Sequence, residues 1–329
     1  MIKPSPAPLA LKNKALKKKL VHPAVAAARR ISLFMVACSL SGLAVWAIND
    51  GQMQFENLIF AQISDPVDEL IYRVPKKPAQ TDIELSAKSA YSLIINAAGR
   101  ERVVFEKDTK MVLPIASLTK LMSATVVLEN PDVYDLDKTY PVSLSASAQD
   151  DVPVAGNLKY GEVNSVRQLL GLMLYYSSND AAYALSEIMG VDEFVAVMNH
   201  KAADLGLGDT VFYNPSGLDG EEGGLNQSSA EDLMVLVKYI LRTHPEIFSY
   251  TANDGSYVTE NGIFSINLWD GQRLAGGKTG YTEKAGGCMI YIFENESNRY
   301  YINILLGAAS PAARVVQMQK LVNFASNLR

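Results

Sequence analysis

Cysteine and histidine are nearly missing from this chain: two cysteines and three histidines occur in 329 residues. Cys38 falls in a long apolar run and Cys288 in a predicted strand, so no disulfide is expected between them. His22, His200 and His244 are scattered and no H-E-x-x-H occurs. That excludes the usual zinc arrangements, and neither metal nor cofactor is expected. No G-x-S-x-G is present, which with so few histidines argues against a Ser-His-Asp hydrolase. A phosphate loop also fails, because Gln272 stands where its first glycine would be required.

Acidic residues are absent from positions 1–48, where eight of the 30 basic residues lie. The remaining 281 residues therefore carry 22 basic and 35 acidic side chains. No basic patch for nucleic acid stands out in that acidic remainder. A membrane explains the asymmetry better. Ile31 to Ile48 runs 18 residues without a charge. As a helix it would be about 27 Å long, near the thickness of a bilayer core. Arg29 and Arg30 precede it, Asn49 and Asp50 follow, and Trp46 lies near its outer end. The positive-inside rule then puts residues 1–30 in the cytoplasm as a basic tail and the rest outside. A cleaved signal peptide would need a small-x-small site, and none follows the run. A lipoprotein site at Val36-Ala37-Cys38 is undercut because the run continues past Cys38. The expectation is a single-pass anchor over 31–48 with an extracytoplasmic domain.

Residues 49–88 read as a stalk, since the stretch from Arg73 to Gln80 is polar, carries two prolines and has no periodicity. A folded domain is expected over 89–329, long enough for one sizeable core. Tyr91–Asn96 and Glu101–Glu106 read as a hairpin around Gly99. Helical spacing begins near Ser117 and recurs through Val166–Leu174, which looks apolar nearly all round. It continues over Ala181–Ile188, Phe194–Leu205 and a helix opened by a capping box, Ser228 with Glu231. Met289–Phe293 and Tyr300–Leu306 read as a strand pair. Ser310 and Pro311 then open a last helix. Strands at both ends and helices between predict an α+β fold: a mainly antiparallel sheet flanked by helices, with a helical subregion.

Three short segments carry the chemistry: Ser117-Leu118-Thr119-Lys120, Ser177-Ser178-Asn179 and Lys278-Thr279-Gly280. Ser117 and Lys120 are three apart, on one helical face. A serine hydroxyl needs a base to take its proton. A lysine serves only when neutral, which burial or a second cation such as Lys278 would favour. A free N–H at a helix start can help form an oxyanion hole. Ser177 can pass a proton onward, and Asn179 can hold substrate backbone or the lysine. Gly276, Gly277 and Gly280 would let an extended peptide lie beside their strand, with Lys278 and Thr279 meeting a terminal carboxylate. Singly these segments are weak: about one S-x-x-K arises by chance in such a chain. Ser177 and Asn179 also suit a helix cap, and the glycines suit a turn. The ordered set is far more specific.

The set resembles the penicillin-recognising serine peptidases. The surrounding text resembles the low-molecular-mass D-alanyl-D-alanine carboxypeptidase family. PIASLTKLMSA (114–124), YYSSNDAAYAL (175–185), FYNPSGL (212–218), SSAEDL (228–233) and GGKTGYTEKAGGC (276–288) carry the likeness. The resemblance implies a beta-lactamase/DD-peptidase-like fold. It implies Ser117 as acylated nucleophile, Lys120 as its base and Ser177 as proton relay. Asn179 would orient substrate, Lys278 and Thr279 would receive the carboxylate beside Gly280, and the Tyr281 N–H would complete the oxyanion hole. The implied substrate is the D-Ala-D-Ala end of peptidoglycan stem peptides, with beta-lactams as covalent inhibitors.

Two departures stand out. Only 49 residues follow Gly280, where many relatives carry a second domain and a C-terminal amphipathic helix. The N-terminal span would then be the anchor. This shorter form also resembles the D,D-endopeptidases that cut cross-links. Ser178, second, stands where a glycine is common. A class A beta-lactamase would need a deacylating glutamate, and Glu222-Gly223-Gly224-Leu225-Asn226 matches that pattern. Its place in a glycine-flanked variable loop argues for coincidence. A non-hydrolytic beta-lactam sensor is opposed by the full set of catalytic side chains.

Overall fold

The computed structural model describes residues 83–149, 156–220, 224–251, 256–259, 262–265 and 272–327. All belong to the unit Tyr72–Arg329. The expected tail, the 31–48 span and most of the 49–88 stalk lie outside the described residues. Among the described residues no helix is long and apolar enough to cross a membrane.

The chain opens with the hairpin β1 (Ser89–Ile95) and β2 (Glu101–Lys107), then the short β3 (Leu113–Pro114). A 3-10 turn, Ala116–Thr119, leads into helix α1 (Lys120–Glu129). Strands β4 (Thr139–Pro141) and β5 (Val163–Ser165) precede helices α2 (Val166–Tyr175), α3 (Asn179–Met189) and α4 (Val191–Asp204). Strand β6 (Gln227–Ser228) is followed by α5 (Ala230–Thr243) and the single turn α6 (Glu246–Ser249). Strands β7 (Ser256–Thr259), β8 (Gly262–Ser265), β9 (Gln272–Thr282), β10 (Gly286–Asn295) and β11 (Tyr300–Ala308) come next, and α7 (Pro311–Asn327) closes the fold.

The main sheet has the order β2-β1-β11-β10-β9, antiparallel throughout. The α+β architecture is therefore as expected. Alternation along a strand explains its layers. Met289, Tyr291 and Phe293 face one side, where Met318, Leu321 and Val322 of α7 cover them. Ile290 and Ile292 face the other, against Leu118, Leu121 and the helical subregion. Each such buried side chain contributes roughly 1.5–3 kcal/mol, so both layers hold firmly. The core also takes in Leu85 and Ala87, just ahead of the expected boundary at Ser89.

The hairpin turns where the sequence marks it. The Asn96 side-chain oxygen accepts from the Ala98 and Arg100 N–H groups, and Gly99 takes φ 73°. Ser310 caps α7 by accepting from the Ala313 N–H at 3.1 Å. Two local expectations need correction. The cap of α5 is Ser229, accepting from the Asp232 N–H, and not Ser228 with Glu231. Ser228 is taken by pairing with Leu113 across β3–β6. Helix α2 is not buried all round: Val166, Leu169, Leu170, Met173 and Leu174 are buried, while Arg167 and Gln168 are exposed.

Candidate active site

Ser117 sits in the 3-10 turn rather than in the first turn of an α-helix. The cause lies one residue earlier. Ala116 has φ 47°, a left-handed conformation that non-glycine residues rarely adopt. The Leu118 N–H then bonds back to the Ile115 carbonyl at 3.2 Å. In a 3-10 turn residues three apart eclipse, so the tighter coil stacks Lys120 directly on Ser117. Lys120 Nζ lies 2.9 Å from Ser117 Oγ. Ser117 is half-buried and reachable, whereas Lys120 is fully buried.

Two further partners surround Lys120 Nζ: Asn179 Oδ1 at 2.6 Å and the Ser216 carbonyl at 2.7 Å. Both are acceptors only, so each takes an N–H from the lysine. A neutral amine has two N–H bonds and one lone pair. As an ammonium, Nζ donates to Ser117 Oγ as well; a neutral amine that kept its bonds to Asn179 and Ser216 would turn its lone pair to the Ser117 hydroxyl, the orientation a general base requires.

Ser177 lies between α2 and α3 and has φ 64°. Strain of this kind costs on the order of 1–3 kcal/mol and gathers at functional sites. It is held here by two contacts. Ser177 Oγ accepts from Lys278 Nζ at 2.8 Å, and the next residue caps α3. The Ser178 side chain accepts from the Ala181 N–H at 3.0 Å and donates to the Gly156 carbonyl at 2.6 Å. Ser178 has φ −54°, so the position makes no demand for glycine. The departure at Ser178 is absorbed by the helix cap. Asn179 is the first residue of α3, buried and turned to Lys120.

Lys278, Thr279, Gly280 and Tyr281 all lie on β9, the edge strand of the main sheet. Lys278 and Thr279 are buried, and Lys278 Nζ also donates to the Thr279 carbonyl at 3.0 Å. Gly280 is the point of closest approach to the nucleophile. A Cβ there would stand 2.9 Å from the Ser117 nitrogen and 3.1 Å from the Ile115 carbonyl. Only glycine lets β9 run flush against the turn. The Tyr281 side chain is partly exposed at the rim. All eight expected site residues thus converge, from the turn, α1, the α2–α3 junction and β9.

Other supports were not foreseen. The segment FYNPSGL delivers the Ser216 carbonyl to Lys120. Asn214 folds it by accepting from the Gly217 N–H at 2.7 Å. At Gly217 (φ 88°) a Cβ would fall 2.0 Å from the Ala116 carbonyl oxygen, so this glycine is obligatory. Asn226 clamps the same loop: it accepts from the Tyr213 N–H at 2.7 Å and donates to Thr119 Oγ1 at 3.0 Å. That gives the Asn226 of the lactamase-like pattern a structural task, while Glu222 lies outside the described residues. Arg314 of α7 is fully buried, and its Nη1 donates to the Gly280 carbonyl at 2.7 Å. A turn signature, Asn-Pro-Ser-Gly, marks the first support in the sequence. A basic residue on a core-facing helical position is the one local hint of Arg314. Among the described residues no group of His, Cys, Asp and Glu could hold a metal ion.

A serine held in a 3-10 turn behind the left-handed Ala116, hydrogen-bonded to a buried lysine and abutting a glycine-bearing edge strand, is the arrangement of a histidine-free serine acyl-transfer centre. The D-alanyl-D-alanine carboxypeptidase family (peptidase S11) matches residues 75–310, and the chain belongs to that family. It is 32% identical to D-alanyl-D-alanine carboxypeptidase DacF of Bacillus subtilis over 73% of this chain and 62% of that protein. It is 30% identical to a D-alanyl-D-alanine endopeptidase of Pseudomonas aeruginosa, over 70% of this chain and 74% of that one. The chain thus spans less than two thirds of DacF. Penicillin-binding protein D2 of Listeria monocytogenes, solved in a cefotaxime-bound form, superposes with a TM-score of 0.62 at 32% identity, covering 75% of this chain and all of that one.

Proposed function

We propose that this protein is a serine D-alanyl-D-alanine carboxypeptidase that trims peptidoglycan stem peptides through a Ser117 acyl-enzyme. The observation that carries the reading is the Ser117–Lys120 hydrogen bond of 2.9 Å, with two carbonyl-type acceptors orienting the lysine. Substrate adds as an extended strand beside β9. Its scissile carbonyl sits at Gly280–Tyr281, with the Ser117 and Tyr281 N–H groups as oxyanion donors. Its terminal carboxylate meets Lys278 and Thr279, and Asn179 steadies both substrate and Lys120.

Ser117 Oγ attacks the carbonyl carbon and its proton passes to Lys120. The C–N bond breaks as Ser177 relays a proton to the departing D-alanine amine. Water then hydrolyses the ester and restores Ser117. A beta-lactam forms the same ester, but its leaving amine stays tethered. The membrane belongs to this reading as well: the uncharged run Ile31–Ile48 and the charge step beside it support an anchor with the enzyme outside.

The test is release of D-alanine from a purified pentapeptide, with a fluorescent penicillin adduct as second readout. Both are expected, and Ser117→Ala should abolish both. No release and no adduct from the unsubstituted protein would refute the proposal. Cross-link cleavage is the second reading, favoured by the greater share of the Pseudomonas endopeptidase that this chain spans. Digestion of muropeptide dimers separates the two. Fast, complete nitrocefin turnover would instead mark a beta-lactamase.

A further inference from the structure

Asp180 is a buried acidic side chain that the catalytic steps above do not use. It lies in the first turn of α3, one residue after Asn179, and is only 2% exposed. The helix dipole favours an aspartate at such a place even at the surface, so its burial needs another reason. Burying a carboxylate is costly unless hydrogen bonds meet it. Here Oδ2 accepts from the Leu158 N–H at 2.8 Å. A second bond runs the other way two residues earlier: Ser178 Oγ donates to the Gly156 carbonyl at 2.6 Å. These rungs fasten segment 156–158 onto the start of α3.

The fastened segment rests on the Ser177 junction. Gly156 has φ 116°, and a Cβ on it would stand 3.0 Å from the Ser178 Cβ and 3.2 Å from the Tyr176 Cβ. Gly156 therefore packs against both neighbours of Ser177 and brackets that residue. Bracketing matters because Ser177 is left-handed, with φ 64°, just past Tyr176, the C-cap of α2. Left-handed residues commonly end helices, but glycine or asparagine usually fills the place. A serine there turns toward negative φ when its neighbours are free to follow, and that rotation re-aims its side chain. Oγ would then leave Lys278 Nζ, its partner at 2.8 Å, and the leaving group beside it.

We propose that Asp180 is a positioning residue for the proton relay: by pinning segment 156–158 against the Ser177 junction, it holds Ser177 Oγ where the departing amine takes its proton. Ser178 Oγ is the second pin. The inference rests on the D,D-peptidase reading and deepens it, because it concerns the step in which the C–N bond breaks and the amine is protonated. Asp180 acts through Ser177 and touches no reacting atom.

An amide nitrogen leaves only with a proton, whereas a thiolate leaves without one. The test therefore compares an acyl-D-Ala-D-Ala peptide with its thioester counterpart, in which sulfur replaces the scissile nitrogen. Both keep the terminal carboxylate, so a change at Lys278 or Thr279 cancels in the ratio of their kcat/KM values. Ser177→Ala lacks the relay and sets the scale, with a far larger loss on the amide. A general acid contributes about 10²- to 10⁴-fold, and a loosened one should forfeit about tenfold of it. Asp180→Ala should thus lower the amide kcat/KM about tenfold and the thioester value less than about threefold. Asp180→Asn keeps an oxygen acceptor for the Leu158 N–H and should bring the amide value back to within about threefold of the parent. Ser178→Gly removes the other pin at little cost to the helix cap and should show the same split, so it carries the test if Asp180→Ala fails to fold. Equal losses on the two substrates would make Asp180 merely structural and overturn the proposal. An amide rate untouched by Asp180→Ala, or not restored by Asp180→Asn, would overturn it as well. Unsubstituted protein that cleaves neither substrate and forms no penicillin adduct overturns the peptidase reading itself, and this inference with it.

Discussion

Gly280→Ala puts one methyl group against the backbone nitrogen that is to serve as an oxyanion donor. The added Cβ would begin 2.9 Å from Ser117 N, 3.1 Å from the Ile115 carbonyl and 3.2 Å from the Ala116 Cβ. Ordinary contact needs about 0.5 Å more, and two of these three neighbours are backbone atoms with no rotamer to yield. Strand β9 cannot easily retreat, because Arg314 holds the Gly280 carbonyl from behind. The displacement therefore falls largely on the turn that carries Ser117. Removing an oxyanion donor outright costs about 10²- to 10³-fold, and half an ångström of misplacement should cost part of that. The expected loss is about 10- to 100-fold in acylation rate, equivalent to about 1.4–2.7 kcal/mol at the transition state. Overpacking should lower stability by about 1–3 kcal/mol in parallel. Stopped-flow acylation by a fluorescent penicillin measures the first, and thermal unfolding the second. A variant that acylates within about threefold of the parent at an unchanged melting temperature would refute the reasoning, since β9 and the turn would then not be in hard contact.

Arg314→Met should unfold the site from the rear: a lost bond from a charged donor to the Gly280 carbonyl is worth about 1.5–3 kcal/mol, and slower acylation should accompany the lower melting temperature. Glu129 should make stability depend on acid. Burial alone would raise its carboxyl, but bonds from Lys201 and Tyr239 outweigh that and hold it below the usual range. A lowered folded-state value adds stability that is fully present above the unfolded value near 4.5 and is lost as pH falls from there through the lower folded-state value. Glu129→Gln should therefore lower the melting temperature at pH 7 by a few degrees, about 1 kcal/mol, and shrink the difference between pH 7 and pH 4. Burial pushes the Cys288 thiol up to about 11. Peptide mapping after iodoacetamide at pH 8 should find Cys288 unmodified in native protein and alkylated in denaturant.

Chemistry was more legible in the sequence than its mounting. Ser117 with Lys120, and the strand around Lys278, could be read because nucleophile, base and glycine recur at fixed local spacing. The hairpin at Gly99 could be read because its turn chemistry is local as well. The cap of α5 slipped by one residue because a long-range pairing, Ser228 with Leu113, claims the favoured serine. The 3-10 turn was not legible because it follows the left-handed Ala116, which nothing in the local sequence marks and beside which Gly217, about a hundred positions away, passes with no room for a Cβ. The Ser216 carbonyl belongs to the backbone and leaves no residue-type signal at all. Arg314 has only its core-facing helical position as a local hint, because its partner is a strand carbonyl 34 positions earlier.

That last contact sets an order of events. The serine, the lysine and the polar relay all emerge in the first 180 residues of synthesis. Strand β9 is made about a hundred residues later, and the arginine that grips it later still. Sheet closure also waits, since β1 must find β11 before the middle of the sheet exists. A growing chain thus holds Ser117, Lys120 and Ser177 well before the strand that carries Lys278. The strand that abuts the serine turn, and the helix that holds that strand from behind, are thus the last parts of the site to be made.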